Sequence, residues 1–265
     1  MYDSGLKVAF ITGATGAIGE AIARNIAKDH NYYVVLVVRD ENKAEKVTDK
    51  IKNSTGNRNV IYKIVDLSNR EEIFQFASEW KNPLNVLVNN AATTPRSRQV
   101  NKNGIELQFA TNVLGYFWMM QAFSGQLIES APSRIVNVAS YWAGGLNLED
   151  LEFKKRQYNN DEAYRQSKQA NRMLTSAFAD KFAGQNITVV SCHPGDVNSK
   201  LSNDLGFGGH ESPDQGANTP VWLSTLPHDR LESGKYYAHH RIEPCRFSQN
   251  NKEVEELYDI CNSYT

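Results

Sequence analysis

Tyr164 and Lys168 stand four residues apart in the stretch AYRQSKQAN, and on a helix that spacing puts both side chains on one face. A free phenol, with a pKa of about 10, exchanges protons poorly at neutral pH, whereas a neighbouring ammonium favours the phenolate and lowers that value. The spacing by itself carries little weight in a chain with 12 Tyr residues, so the argument rests on the company it keeps. Ser140 follows the apolar run RIVNV, and Asn112 lies in a long helical pattern before that run. Ser140 would hydrogen-bond a substrate oxygen as charge develops on it, and Asn112 would hold a water that links Lys168 to solvent. Four such groups in one crevice fit proton transfer coupled to hydride transfer between an alcohol and a carbonyl, with a nicotinamide carrying the hydride.

A second cluster offers that dinucleotide a seat. The first apolar run, KVAFI, leads into Thr12, Gly13, Ala14, Thr15, Gly16, Ala17, Ile18 and Gly19, and then into a helical pattern that reaches about residue 28. Glycines at a strand-to-helix turn let backbone amides approach a pyrophosphate, and the helix N-terminus adds donors and partial positive charge. The second run, YYVVLVV, ends in Arg39 and Asp40, where dinucleotide folds read the adenosine ribose. A guanidinium there forks onto a 2′-phosphate, whereas a carboxylate takes up ribose hydroxyls. Arg39 therefore favours NADP(H) over NAD(H), with Asp40 as the competing contact.

The elements that must position these groups follow a βαβ rhythm. Short β-branched runs at 7–11, 32–38, 60–65, 84–88, 134–138, 187–191 and 235–238 alternate with helical patterns at about 16–28, 41–53, 69–80, 104–129 and 161–183. Runs that are apolar throughout suit strands covered on both faces. The pattern predicts one domain over residues 1–265, an α/β doubly wound parallel sheet of seven strands, Rossmann-type, with helices on both faces. Two irregular stretches, about 141–160 and 195–217, follow strand ends, which is where open parallel sheets bind ligands. Trp142, Leu146, Phe153, Tyr158, Leu201, Leu205 and Phe207 within them predict an apolar pocket with a mobile cover. The charged stretch Glu149 to Arg156 is expected to be solvated, and Trp118, Met119 and Met120 to be core.

Composition removes several other functions. With 29 Lys plus Arg against 30 Asp plus Glu, the charge of −1 gives no electrostatic reason to expect a nucleic acid or an acidic membrane surface. The longest aliphatic run, Val34 to Val38, is far short of the roughly 20 apolar residues of a membrane-spanning helix. The N-terminal residues lack the pattern of a signal peptide, so a cytoplasmic location is expected. Three cysteines, with no CxxC pair, are expected to be reduced and structural. No metal site is expected: His239 and His240 adjoin on a strand end and should point to opposite faces, while His193 reads as a structural hydrogen bonder. A serine hydrolase would need a GxSxG elbow, which the chain lacks.

Taken with their order along the chain, these motifs resemble the short-chain dehydrogenase/reductase superfamily, in its compact single-domain branch and over nearly the whole length. TGATGAIG is similar to the family's glycine motif, VNNAA at 88–92 to its NNAG, NVLG at 112–115 to its relay-Asn motif, VNVAS at 136–140 to its serine motif and AYRQSKQAN to its YxxxK helix. The resemblance implies cofactor contacts from Asp66 and Leu67 after the third strand, from Asn90 and Ala91, and from Pro194, Gly195, Val197 and Ser199 in CHPGDVNS. The gap between Ser140 and Tyr164, the Arg after the second strand and the HPG triplet resemble the retinol dehydrogenase-like and WW-domain-oxidoreductase-like subgroup. That subgroup implies NADP(H) and apolar carbonyls or alcohols. It also implies that the Asn112 and Tyr164 helices could pair two copies as a homodimer. The chain departs from the pattern in three places: the glycine rhythm at 13, 16 and 19 with Ala17 in the usual middle position, Ala92 for Gly, and Ser199 for Thr. The glycine spacing is shared with larger nucleotide-sugar epimerase or dehydratase relatives, and a non-catalytic dinucleotide sensor is the non-enzymatic alternative.

Overall fold

Strands without a polar face need a cover on each side, and the arrangement supplies it. The computed structural model describes residues 5–264. Its strands are β1 (Lys7–Thr12), β2 (Tyr32–Val38), β3 (Val60–Ile64), β4 (Val86–Asn89), β5 (Ser133–Val138), β6 (Ile187–Cys192), β7 (Tyr236–Ala238) and β8 (Arg241–Glu243). They form one sheet in the order β3-β2-β1-β4-β5-β6-β7-β8. All neighbours are parallel except β7 and β8, which are antiparallel. The parallel seven-stranded sheet expected from the sequence is present, extended by one strand. β8 is only three residues long and two of its three positions are exposed, so it lacked the apolar run by which the others could be read.

Helices α1 (Ala17–Ala27), α2 (Glu41–Thr55) and α8 (Pro213–Thr225) cover one face, closing over Ile11, Val34, Leu36, Val88, Val136 and Val190. Helices α3 (Arg70–Glu79), α4 (Gly115–Ala122), α5 (Ser124–Glu129), α6 (Asn160–Lys181) and α9 (Asn251–Ser263) lie on the side of Phe10, Val35, Leu87, Ile135 and Val189. A short α7 (Lys200–Asp204) sits in the loop after β6. The strand order reverses between β1 and β4, and that reversal opens a crevice at the carboxyl ends of the strands.

Two local departures from the sequence reading bear on the site. The helical pattern at 104–129 does not form one helix: a π turn over Phe109–Leu114 comes first, then α4 and α5. Residues 101–104 form a turn held by Asn101, whose side-chain oxygen accepts from the amides of Asn103 and Ile105. The stretch Glu149 to Arg156 is not solvated as a whole: Asp150, Leu151, Glu152 and Phe153 are buried. Asp150 accepts from the amides of Lys154 and Lys155, and Glu152 accepts from the Tyr264 hydroxyl, so local capping and a remote partner remove the cost of burying these acids.

Candidate active site

The glycine loop is shaped by close approach. Gly13 has φ of 64°, and a Cβ there would come within 2.7 Å of the Ala91 Cα, while one at Gly19 would overlap the Gly13 carbonyl and stand 2.7 Å from Asn90 Nδ2. Gly16 is less constrained, its nearest neighbour being the Gly13 carbonyl at 3.3 Å. It is the N-cap of α1, so the amides of Ala17, Ile18 and Gly19 face out of the helix start without intrahelical partners. Ala17 stands in that first turn, and Thr15 is a half-buried loop residue. Thr12 ties the loop to its neighbour: its hydroxyl accepts from the amides of Asn90 (2.8 Å) and Ala91 (3.1 Å), and Asn90 Nδ2 donates back to the Thr12 carbonyl at 2.9 Å.

At the outer edge of this crevice Arg39 is exposed and, among the described residues, engaged in no hydrogen bond or ion pair, whereas Asp40 caps α2 by accepting from the Lys43 amide at 3.1 Å. That capping bond, and the Lys43 ammonium at 3.2 Å, hold the Asp40 carboxyl below the usual carboxylate range. After β3, Asp66 accepts from the amide and hydroxyl of Ser68, both at 2.9 Å, and Leu67 is buried beneath the turn. The Leu67 carbonyl packs on Gly115, where a Cβ would stand 2.7 Å away.

Ser140, Tyr164 and Lys168 do meet. Ser140 lies two residues past β5; its hydroxyl accepts from the Trp142 amide at 3.1 Å, and it lines the same cavity as Tyr164. Lys168, 2% exposed, donates from Nζ to the Val138 carbonyl at 2.9 Å and stands 5.7 Å from the centre of the Tyr164 ring. The expected lowering of the phenol by this lysine is not found. Burial pushes Tyr164 up to about 12 and Lys168 down to about 7, because desolvation penalises the charged form of each. The neighbouring Ser140 hydroxyl, rather than the ammonium, opposes the rise at Tyr164.

Asn112 is fully buried in the π turn, and its side chain is occupied. Its Oδ1 accepts from the Thr93 amide at 2.8 Å, and its Nδ2 donates to the Thr93 carbonyl at 3.1 Å and lies 3.3 Å from both Gln108 Oε1 and Ser167 Oγ. These bonds clamp the segment after β4 against the π turn and α6. Every polar atom of the side-chain amide thus has a protein partner.

A cavity of about 60 Å³ lies over the Tyr164 phenol, lined by the apolar side chains of Ile18, Trp142, Pro194, Val197, Leu201, Leu205 and Phe207 and by Ser140, Tyr141, Gly195, Asp196, Ser199 and Ser202. Trp142 and Phe207 meet edge to face with centroids 3.6 Å apart, joining the two long loops across its mouth. Of the apolar residues expected there, Leu146, Phe153 and Tyr158 are placed elsewhere: Leu146 packs on the core, Phe153 lies under Arg156, and the Tyr158 hydroxyl donates to the Pro95 carbonyl. Gly195 has φ of 97° and its amide donates to His193 Nδ1 at 3.1 Å. Burial lowers His193 to about 4, so it is neutral and cannot store a proton at pH 7. Ser199 caps α7. A larger hollow of about 420 Å³, between α3, α4, α9 and the C-terminal end of α6, shares no residue with these groups.

Residues 7–206 match the family model described as short chain dehydrogenase. The chain belongs to the short-chain dehydrogenase/reductase family. Within it the chain is retinol dehydrogenase-like: it is 31% identical to human retinol dehydrogenase 11 over 96% of its own length and 84% of that protein, and 30% identical to human retinol dehydrogenase 13 over 87% and 76%. An uncharacterised protein from Mycobacterium paratuberculosis superposes with a TM-score of 0.80 at 26% identity, covering 97% of this chain and 92% of that one. L-sorbose reductase from Gluconobacter frateurii, solved with NADPH and L-sorbose, shares the fold at a TM-score of 0.69 and 22% identity, over 89% and 96% of the two chains. A short-chain dehydrogenase/reductase is an oxidoreductase that acts on CH–OH groups with NAD(P), and this chain is one. Among the described residues, no helix is long and apolar enough to cross a membrane and no cluster of His, Cys, Asp or Glu could hold a metal ion.

Sequence reasoning missed the groups that hold the site together. Asn89 donates to Asn137 at 2.9 Å, and Asn137 donates to Thr175 Oγ1 at 3.0 Å, a buried ladder from β4 through β5 to α6. The only signal for it was polar residues in otherwise apolar strands. His239 and His240 diverge as expected, but through a strained turn: both have positive φ, and His240 stacks on Trp222 at 5.0 Å while His239 lies 6.1 Å from His193.

Proposed function

We propose that the protein interconverts a secondary or primary alcohol and its carbonyl on an apolar small molecule, using NADP(H), with Tyr164 delivering or taking the proton. The observation that carries this reading is the Tyr164–Ser140 pair at the floor of an apolar cavity, with Lys168 buried beneath it and the glycine loop alongside. The loop fits a dinucleotide, since Gly13 and Gly19 let the turn pack directly on Ala91 and Asn90 and leave the amides at the start of α1 without protein partners. The amides of Ala17, Ile18 and Gly19, with Thr15 and Gly16 beside them, would hold the pyrophosphate at the start of α1. Arg39 would take the 2′-phosphate, Asp66 and Leu67 the adenine, Asn90 and Ala91 the inner ribose side, and Pro194, Gly195, Val197 and Ser199 the nicotinamide end. When bound, the nicotinamide supplies or accepts the hydride.

The chain's own groups handle the proton and the oxygen. Ser140 holds the substrate oxygen beside the Tyr164 hydroxyl, and Tyr164, protonated at neutral pH, is in the state required to donate in the reductive direction. Lys168 supplies, when protonated, positive charge under the phenol, and Asn112 fixes the wall of the crevice through Thr93. Trp142, Leu201, Leu205 and Phe207 exclude water and give an aliphatic or aromatic carbonyl an apolar surface.

The test is NADPH-dependent reduction of a series of apolar aldehydes and ketones by the wild type and by Tyr164→Phe. Loss of the proton donor should lower kcat/KM by about 10²- to 10⁴-fold, with NADPH affinity within threefold. Wild-type turnover in the phenylalanine variant would overturn the reading.

A further inference from the structure

Tyr164, Lys168 and Arg172 recur every four residues along α6 and so form one stripe. The third member has no part in the reaction just proposed, yet it is an expensive residue to keep where it is. Arg172 is only 7% exposed. A guanidinium taken out of water ordinarily keeps a carboxylate beside it. Among the described residues Arg172 has none. Its Nη2 donates to the Ser140 carbonyl at 2.6 Å, its plane lies 3.5 Å from the centre of the Tyr236 ring in β7 and 5.5 Å from that of Phe247, and its Nε has no partner.

Ser140 stands where the sheet has ended. Ala139 is still tied to β6, its amide donating to the Cys192 carbonyl at 2.7 Å. Beyond it the chain turns, and the turn is defined by three bonds to Ser140: the Trp142 amide on its hydroxyl, the Ala143 amide on its carbonyl at 3.3 Å, and the short bond from Arg172 on that same carbonyl. Arg172 is the one of the three that comes from another element. It anchors the turn to the helix that carries Tyr164, so the two hydroxyls that must share a substrate oxygen are registered against each other through α6.

We propose that Arg172 is a positioning residue for the Ser140–Tyr164 pair, setting the distance between the two hydroxyls by holding the Ser140 carbonyl. The aromatic faces of Tyr236 and Phe247 keep the guanidinium in plane, in place of a counter-ion. This inference rests on the alcohol–carbonyl reading for its kinetic consequence and on geometry alone for its structural one.

Arg172→Met keeps length and stacking but removes the donor, and Arg172→Lys restores a donor and the charge. With a carbonyl that the wild type reduces, Arg172→Met should lower kcat by about 10- to 100-fold, with KM for the carbonyl and the dissociation constant for NADPH within threefold, and Arg172→Lys should recover part of the loss. In hydrogen exchange, the Trp142 and Ala143 amides of Arg172→Met should exchange at least about tenfold faster while amides of β1 and β2 do not change. Unchanged kcat in Arg172→Met, or equal losses in the two variants, would overturn the proposal; so would a fall in kcat accompanied by a parallel loss of NADPH affinity and thermal stability, which marks a purely structural residue. The exchange measurement needs no turnover: if the wild type reduces no carbonyl, the proposed reaction fails, and exchange alone then decides for or against Arg172.

Discussion

Of the two side chains that end β2, one is spoken for and the other is spare. Asp40 spends its carboxylate on the start of α2, while Arg39 projects into solvent at the lip of the crevice. That difference turns an ambiguity of the sequence into a prediction about cofactor choice. Arg39→Glu should weaken NADPH binding by about 10- to 100-fold, the worth of a charge-assisted hydrogen bond of roughly 1.5–3 kcal/mol, and should leave NADH binding within threefold. Side-by-side fluorescence titrations measure both, and an unchanged NADPH affinity would move the ribose contact away from Arg39. The Tyr164 and Lys168 pairing was legible from spacing and neighbours, but the sign of its pKa shifts was not. Spacing says how near two groups stand; it says nothing of how much water each has lost, and here burial is the largest cause of both shifts.

Between elements, the same motifs act as spacers as much as ligands. Gly115, last residue of the NVLG motif, begins α4 where the π turn releases the chain, and it lets that helix touch the Leu67 carbonyl after β3. Gly115→Ala keeps good helix propensity but places a methyl 2.7 Å from a backbone oxygen that cannot swing aside. The substitution should cost about 1–3 kcal/mol in urea unfolding through overpacking, despite alanine's advantage in an isolated helix. A variant as stable as the wild type would show that α4 and the β3 loop can separate freely. The strands and most helices were readable because their apolar periods are clean. The break at residues 109–129 was not, because a π turn and a kink leave an apolar helical pattern intact, and α8 went unread because polar residues dilute its stripe.

Over the whole molecule, buried ionisable groups shape stability. His193 titrates near 4 in the fold against 6.5 as a free group, so the unfolded chain binds more protons between those values and stability falls as pH drops through that window, by about 3 kcal/mol from this residue. Lys168, lowered to about 7 from 10.5, has the same sign at higher pH: stability rises with pH from neutrality toward 10.5. Tyr164, Tyr158 and Tyr236, each raised to about 12, act oppositely above pH 10, where only the unfolded chain loses their protons. Stability should therefore peak on the alkaline side of neutrality. Urea midpoints from pH 5 to 11 test this, and His193→Asn should flatten the acid limb; an identical slope in that variant would place the proton elsewhere.

The sequence alone determined the sheet, the crevice and the identity of the groups in it, since alternating apolar runs, glycines at a strand-to-helix turn and a Tyr–Lys helical pair are local patterns that survive in one dimension. Tertiary structure decided the rest: which of Arg39 and Asp40 is free, that Asn112 is a clamp, that Glu152 is buried and bonded to Tyr264, and that α9 lies along α6 with the Trp118 indole donating to the Tyr264 carbonyl at 3.2 Å. Each of these depends on desolvation or on a partner distant along the chain, and neither quantity is carried by the order of residues near the group concerned.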